Sequence, residues 1–155
     1  MNHQDFLVNL EESGFDRQGT SSCAFKVTEG WVVCIIGLSG RYQQSGTKAF
    51  VICARPSSFE YMDKPKKKYS TEPHEYPFKL NMDSQIKTLS YESTLLNYDY
   101  SRIETDSDWS KVYELLTVTL PDQLNRLGCS GLVKQIRKIR NRGFIEKIWL
   151  SEINA

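Results

Sequence analysis

The sequence predicts a single α+β domain over residues 1–155: one mainly antiparallel β-sheet of about five strands, packed by N-terminal and C-terminal helices. Three observations lead there. Apolar residues recur at helical spacing near both ends of the chain, as Phe6, Leu7 and Leu10 and again as Trp109, Val112, Tyr113 and Leu116. Between residues 22 and 54 the period shortens to that of strands, with turn residues separating the runs. A chain of 155 residues with 39% hydrophobic and 25% charged content also suits one ordinary globular core, not a disordered or fibrous chain.

Taken in order, the first helix is expected from Asn2 to Ser13. Gly14 can supply a left-handed residue past its end, and Phe15 can fold back on the last turn. A strand follows at Ser22–Val27, then a Glu29-Gly30 turn and a second strand at Trp31–Leu38, which together read as a hairpin. Gly37, Gly40 and Gly46 bracket a polar loop, and a third strand runs from Thr47 to Ala54. Its AFVICA run is apolar on both sides, the pattern of a central strand. Residues 55–79 hold four of the five prolines and the run Lys66-Lys67-Lys68; a structureless loop that long is uncommon in a compact domain, so a functional or mobile segment, or one holding edge strands, is expected there. Short strands are expected near Phe78–Leu80 and Gln85–Leu89. Ser107 or Asp108 can cap the helix that carries Trp109, and Pro121 breaks or restarts it before Leu124, Leu127 and Gly128. Another helix spans about Ser130 to Asn141, striped by Leu132, Val133, Ile136 and Ile139. Gly143 ends it, and FIEKIWL reads as a final strand.

Charge and cysteine usage narrow the class. Twenty Lys+Arg against nineteen Asp+Glu leave a net charge of +1, which argues against a surface devoted wholly to nucleic acid or a membrane. Cys23, Cys34, Cys53 and Cys129 form no C-x-x-C pair, and the first three lie in apolar segments, as buried free thiols do. The start, MNHQDFLVNLEES, has neither a basic leader nor a continuous apolar core, and the longest apolar run, Trp31 to Ile36, is far short of the ~20 residues that span a bilayer. A cytoplasmic location is the expectation.

Catalytic patterns are sparse. His3 and His74 are the only histidines, and neither has a second histidine three to five residues away, so no metal site is expected. Gly37-Leu38-Ser39-Gly40 follows a strand but lacks G-K-[ST] and leads into another strand, so it reads as a turn and not a phosphate loop. It fails as a nucleophile elbow for the same reason. Acid–base chemistry has one candidate place, His74 beside Glu72 and Glu75, between Pro73 and Pro77. A ribonuclease-like set would need His3, His74 and the lysine run to meet. No cofactor is expected.

Two charged stretches remain. Lys134, Arg137, Lys138, Arg140 and Arg142 fall on the outward side of their helix, where cations complement the C-terminal dipole. The segment YDYSRIETDSD carries Tyr98, Tyr100, Glu104, Asp106 and Asp108, and an acidic strip with tyrosines suits the grip on a basic protein partner. Asp106 and Asp108 also have a plainer role as helix N-terminal charges. Six of the eight tyrosines lie between residues 61 and 100, where they serve either an interface or further strands.

The segments FLVNLEESGFDRQGTSSCAFK and WVVCIIGLSGRYQQSGTKAFVICA, with the later Asp108-Trp109, resemble a bacterial family of unknown function, the 4304 group. There a helix ending in Gly-Phe leads to a hairpin and to an F-x-[IV] strand after a Gly-rich loop. The resemblance implies a small bacterial α+β protein of the kind found beside polymorphic toxins as immunity factors, and it transfers no catalytic residue. The leading expectation is a non-enzymatic immunity protein that occludes a toxin such as a nuclease through Tyr98, Tyr100, Glu104, Asp106 and Asp108. The alternatives are a small hydrolase or nuclease centred on His74 and a nucleic-acid-binding adaptor using the basic 134–142 helix with Lys66–Lys68.

Overall fold

The computed structural model describes residues 1–17, 23–38, 48–59, 68–83, 89, 91 and 100–153. Helix α1 (His3–Glu12) starts where the Asn2 side chain accepts the Asp5 N–H at 2.9 Å. It stops at Gly14, whose φ of 91° lets the Gly14 N–H reach Glu11 O and the Phe15 N–H reach Leu10 O, both at 3.0 Å. This paired closure seats Phe15 in the core, as the Gly-Phe dipeptide predicts.

The sheet is open and antiparallel. Strands β1 (Asp16–Arg17), β2 (Ala24–Thr28), β3 (Trp31–Gly37), β4 (Lys48–Pro56) and β5 (Phe78–Leu80) lie side by side in that order. A further strand, β6 (Ser101–Ile103), pairs with Lys48–Phe50, while β5 pairs with Ile52–Ala54. Since Phe50 and Ile52 also pair with Gly37 and Ile35 of β3, the two short strands share the opposite edge of β4 in tandem. β4 is therefore central, which explains its AFVICA run. The β2–β3 hairpin turns at Glu29 and Gly30, with φ of 50° and 86°; two successive positive values make the mirror-image turn whose twist matches the strands.

Alternation along the strands gives the sheet two cores. Trp31, Val33 and Ile35 of β3 and Phe50, Ile52 and Ala54 of β4 face the helices. Val32, Cys34, Ile36, Val51 and Cys53 face the other way, under Tyr69 and Tyr76. On the helical side Trp109 is the centrepiece, with ring centroids 4.5 Å from His3, 4.7 Å from Phe6 and 5.5 Å from Phe50. A Ser13–Tyr113 hydroxyl contact of 2.6 Å joins α1 to α2.

Helix α2 (Asp106–Glu114) runs through a π-helical turn, Leu115–Thr119, into α3 (Leu120–Arg137). The wide turn lets the Leu120 N–H bond Leu115 O just before Pro121, which lacks an N–H of its own and sits in the first turn of α3. The sharp break lies at Gly128, with φ 71° and ψ 156°. The third helical stretch ends earlier than Asn141, at the Lys138 cap.

One expected element is different in kind. Residues 144–150 form not a final strand but the start of helix α4 (Phe144–Ile153). Ile145, Glu146, Trp149 and Leu150 are buried while Phe144 and Lys147 are exposed, a helical period that the β-branched and aromatic content conceals. Gly143 does not close α3, which ends at Lys138, but opens α4: Glu146 reaches back to the Gly143 N–H at 2.8 Å, and the Lys147 N–H bonds Gly143 O. The Phe78–Leu80 strand forms as expected, whereas the expected strand at Gln85–Leu89 lies outside the described residues except for Leu89.

Candidate functional site

The acidic strip sits at the junction of β6 and α2. Ser101 and Ile103 point inward and anchor it, Ser101 Oγ accepting the Met82 N–H at 2.6 Å. Arg102 turns outward, lies 5.3 Å from the Tyr100 ring centroid and donates to the Tyr100 hydroxyl at 3.1 Å. Glu104 and Asp106 are exposed, and Tyr100 is half-buried. Tyr98 lies outside the described residues.

Asp108 has a job of its own. Its Oδ2 accepts the backbone N–H groups of Glu104 at 3.0 Å and Thr105 at 3.1 Å, and Thr105 Oγ1 accepts the Asp108 N–H at 3.2 Å. This reciprocal capping box closes the N-terminus of α2. The Glu104 N–H above all, then the Thr105 groups, holds the Asp108 carboxyl below its ordinary value. Its charge thus stabilises the junction, and Glu104 and Asp106 carry the outward-facing charge. Nearby, Lys111 pairs with Asp83 at 2.8 Å.

The histidines are not brought together. His3 stacks on Trp109 on the helical side, with its pKa lowered by burial and then by Lys48 and Arg17. His74 belongs to a 3₁₀ turn, Pro73–Glu75, is half-buried, and has Nδ1 3.8 Å from Glu72 Oε2; Glu75 beside it turns inward. Of the lysine run only Lys68 is described, and it pairs with Asp16 at 3.6 Å. Among the described residues no group of three or more His, Cys, Asp or Glu could hold a metal ion, and no helix is long and apolar enough to cross a membrane.

The face of the sheet turned away from the helices was harder to foresee. Cys34 and Cys53 are register partners on adjacent strands, with Cys23 on the same face and all three buried. Burial, and next the hydrogen bond with Cys34, pushes the Cys53 thiol well above its ordinary value, so it stays protonated and unreactive. Tyr76 covers the pair, donates to Ser70 O at 2.8 Å and has its hydroxyl pKa raised, chiefly by burial. The Arg55 guanidinium lies 5.6 Å from the Tyr76 ring and donates to the Phe59 and Pro56 carbonyls. Lys79 Nζ donates to Tyr76 O at 2.9 Å, and burial lowers its pKa. Three cysteines at in-phase positions of neighbouring strands are the sequence trace of this layer.

No family model, curated protein or solved structure matches this chain. Two surface features bear on function: an acidic corner at Tyr100–Asp106 and, on α3 and beyond it, the cations Lys134, Arg137, Lys138 and Arg140 exposed with Arg142 half-buried.

Proposed function

We propose that this chain is a non-enzymatic binding protein of the cytoplasm, an immunity factor that occludes a toxin, with Tyr100, Glu104 and Asp106 at the docking edge. One observation carries the reading. Asp108 spends its charge on the α2 cap, and the corner it fixes holds Glu104 and Asp106 out in water beside a half-buried tyrosine. Fixed carboxylates steer a basic surface during encounter, and an aromatic beside them anchors what arrives. A substrate groove built for nucleic acid is such a surface.

The test is calorimetry against the toxic domain encoded by a neighbouring gene. The expected result is a nanomolar one-to-one complex that restores growth. The double variant Glu104→Lys, Asp106→Lys leaves the Asp108 cap in place and is expected to slow association about tenfold or more at low salt. No complex at all, or an association rate indifferent to the two reversals, would remove this edge from the function.

A further inference from the structure

We propose that the end of α3, the 138–143 connection and the outer side of α4 form a binding surface for single-stranded nucleic acid, with Phe144 stacking on a base and the surrounding cations on phosphates. Between Asp122 and Glu152 the sequence holds one carboxylate, Glu146, and the fold takes it out of play. Glu146 is 0% exposed; its Oε2 accepts the Tyr91 hydroxyl at 2.6 Å and its Oε1 the Gly143 N–H at 2.8 Å. The cations stay outside. Lys134, Arg137, Lys138, Arg140 and Lys147 are exposed and Arg142 is half-buried. Among the described residues, Lys134, Lys138, Arg140, Arg142 and Lys147 have no ion-pair partner.

Helix electrostatics account for only part of this arrangement. Lys134, Arg137 and Lys138 lie in the last turns of α3, where its dipole favours them. Arg140 and Arg142 lie beyond that helix and just ahead of the N-terminus of α4, the end that repels cations. An external anion relieves that repulsion, and the buried Glu146 relieves it only at the Gly143 N–H. Phe144, in the middle of the cations, is 71% exposed, the most exposed large hydrophobic among the described residues. It stands one position out of phase with the buried Ile145 and Trp149, so the helix period holds it in water, one turn from Lys147.

The two helices are also fixed to each other. The Tyr91 N–H donates to Gln135 Oε1 of α3 at 2.6 Å, its hydroxyl donates to Glu146 of α4, and its ring meets Trp149 edge-on at 6.3 Å. The two helices that carry the ring and the cations are thus held in one arrangement, which lowers the cost of binding. Guanidinium groups match phosphate oxygens, and an exposed ring needs an open π-face. A single strand offers phosphates and unstacked bases at every step, whereas a duplex keeps its bases stacked.

Fluorescence anisotropy with labelled twelve-nucleotide single strands of DNA and RNA, the matching duplex and polyglutamate as competitor tests the proposal. The expected result is micromolar single-strand binding at 50 mM salt that falls steeply as salt rises, with a slope of about −0.7 per phosphate contacted. Phe144→Ala is expected to weaken it about tenfold, within the range of one stacked base. Lys138→Glu with Arg140→Glu, both exposed, is expected to abolish it and flatten the salt response. Circular dichroism and melting of each variant check the fold, and Lys134→Glu with Lys147→Glu serves if the first pair fails to fold. No binding at 50 mM salt, equal competition by polyglutamate, or binding that ignores Phe144→Ala would overturn the proposal.

Discussion

At the level of single residues, the acidic strip divides by what each carboxylate touches. Asp108 caps a helix, and its pKa is depressed mainly by the Glu104 N–H, so it binds its proton less readily folded than unfolded. The stability it contributes is therefore complete above the ordinary carboxylate value of 3.8 and is lost as the pH falls through the lower folded value. Asp108→Ala is expected to cost about 1 kcal/mol at pH 7, the usual worth of a helix cap, or roughly 2–4 °C in melting temperature. In melts across an acid series the gap between variant and wild type should close below that range; a gap of constant size would mean that the charge is not what caps α2. This role was only half legible beforehand: the sequence offers Ser107 or Asp108 as the cap of this helix, whereas the folded chain puts Thr105 at the cap position and uses Asp108 three residues further on to close it. Gly14-Phe15 was legible in full, since only a left-handed closure makes use of that pair in that order. Which carboxylates remain free to meet a partner was not, because that depends on where backbone N–H groups end up.

Among the elements, strands β2, β3 and β4 stand close to where alternation and turn residues put them, and α4 does not. FIEKIWL has the composition of a strand, and over seven residues a two-residue and a 3.6-residue period are hard to separate. The deciding mark is the Gly143-x-x-Glu146 spacing, which gives Glu146 a backbone N–H to accept and makes an otherwise costly buried carboxylate tolerable. Tyr91 completes its partners. Tyr91→Phe keeps the ring against Trp149 and removes the 2.6 Å donor to Glu146, so it is expected to cost about 1.5–3 kcal/mol, the range for a hydrogen bond to a charged group. Chemical denaturation reads this directly. A loss under about 0.5 kcal/mol would show that water replaces the hydroxyl and that α4 is held by packing alone. The pairing of Tyr91 with α3 and α4 had no sequence trace, because the three segments meet only in the folded chain.

Over the whole molecule, the sheet separates a thick helical core from a thin one, and the two should not open together. Among the described residues, the helical side is closed by α1, α2, α3 and α4, while the side with Cys23, Cys34 and Cys53 is closed by Tyr69 and Tyr76. Regions with fewer packed contacts open at lower free energy than the global unfolding transition. Thiol labelling distinguishes the layers because the fourth cysteine, Cys129, is only half-buried on the helical side. Native protein treated with a small thiol reagent and followed by mass spectrometry is expected to take one adduct quickly, at Cys129, and three slowly. Tyr76→Phe removes the hydroxyl that donates to Ser70 O at 2.8 Å and leaves that carbonyl without its donor. A loss of about 1.4 kcal/mol at that contact raises the open fraction of the cover about tenfold. The slow labelling of Cys34 and Cys53 should accelerate by that factor while the Cys129 rate stays fixed. If Cys34 and Cys53 instead modify only at the rate of global unfolding, in wild type and variant alike, the thin layer is as firmly closed as the thick one, and the two faces unfold as one unit.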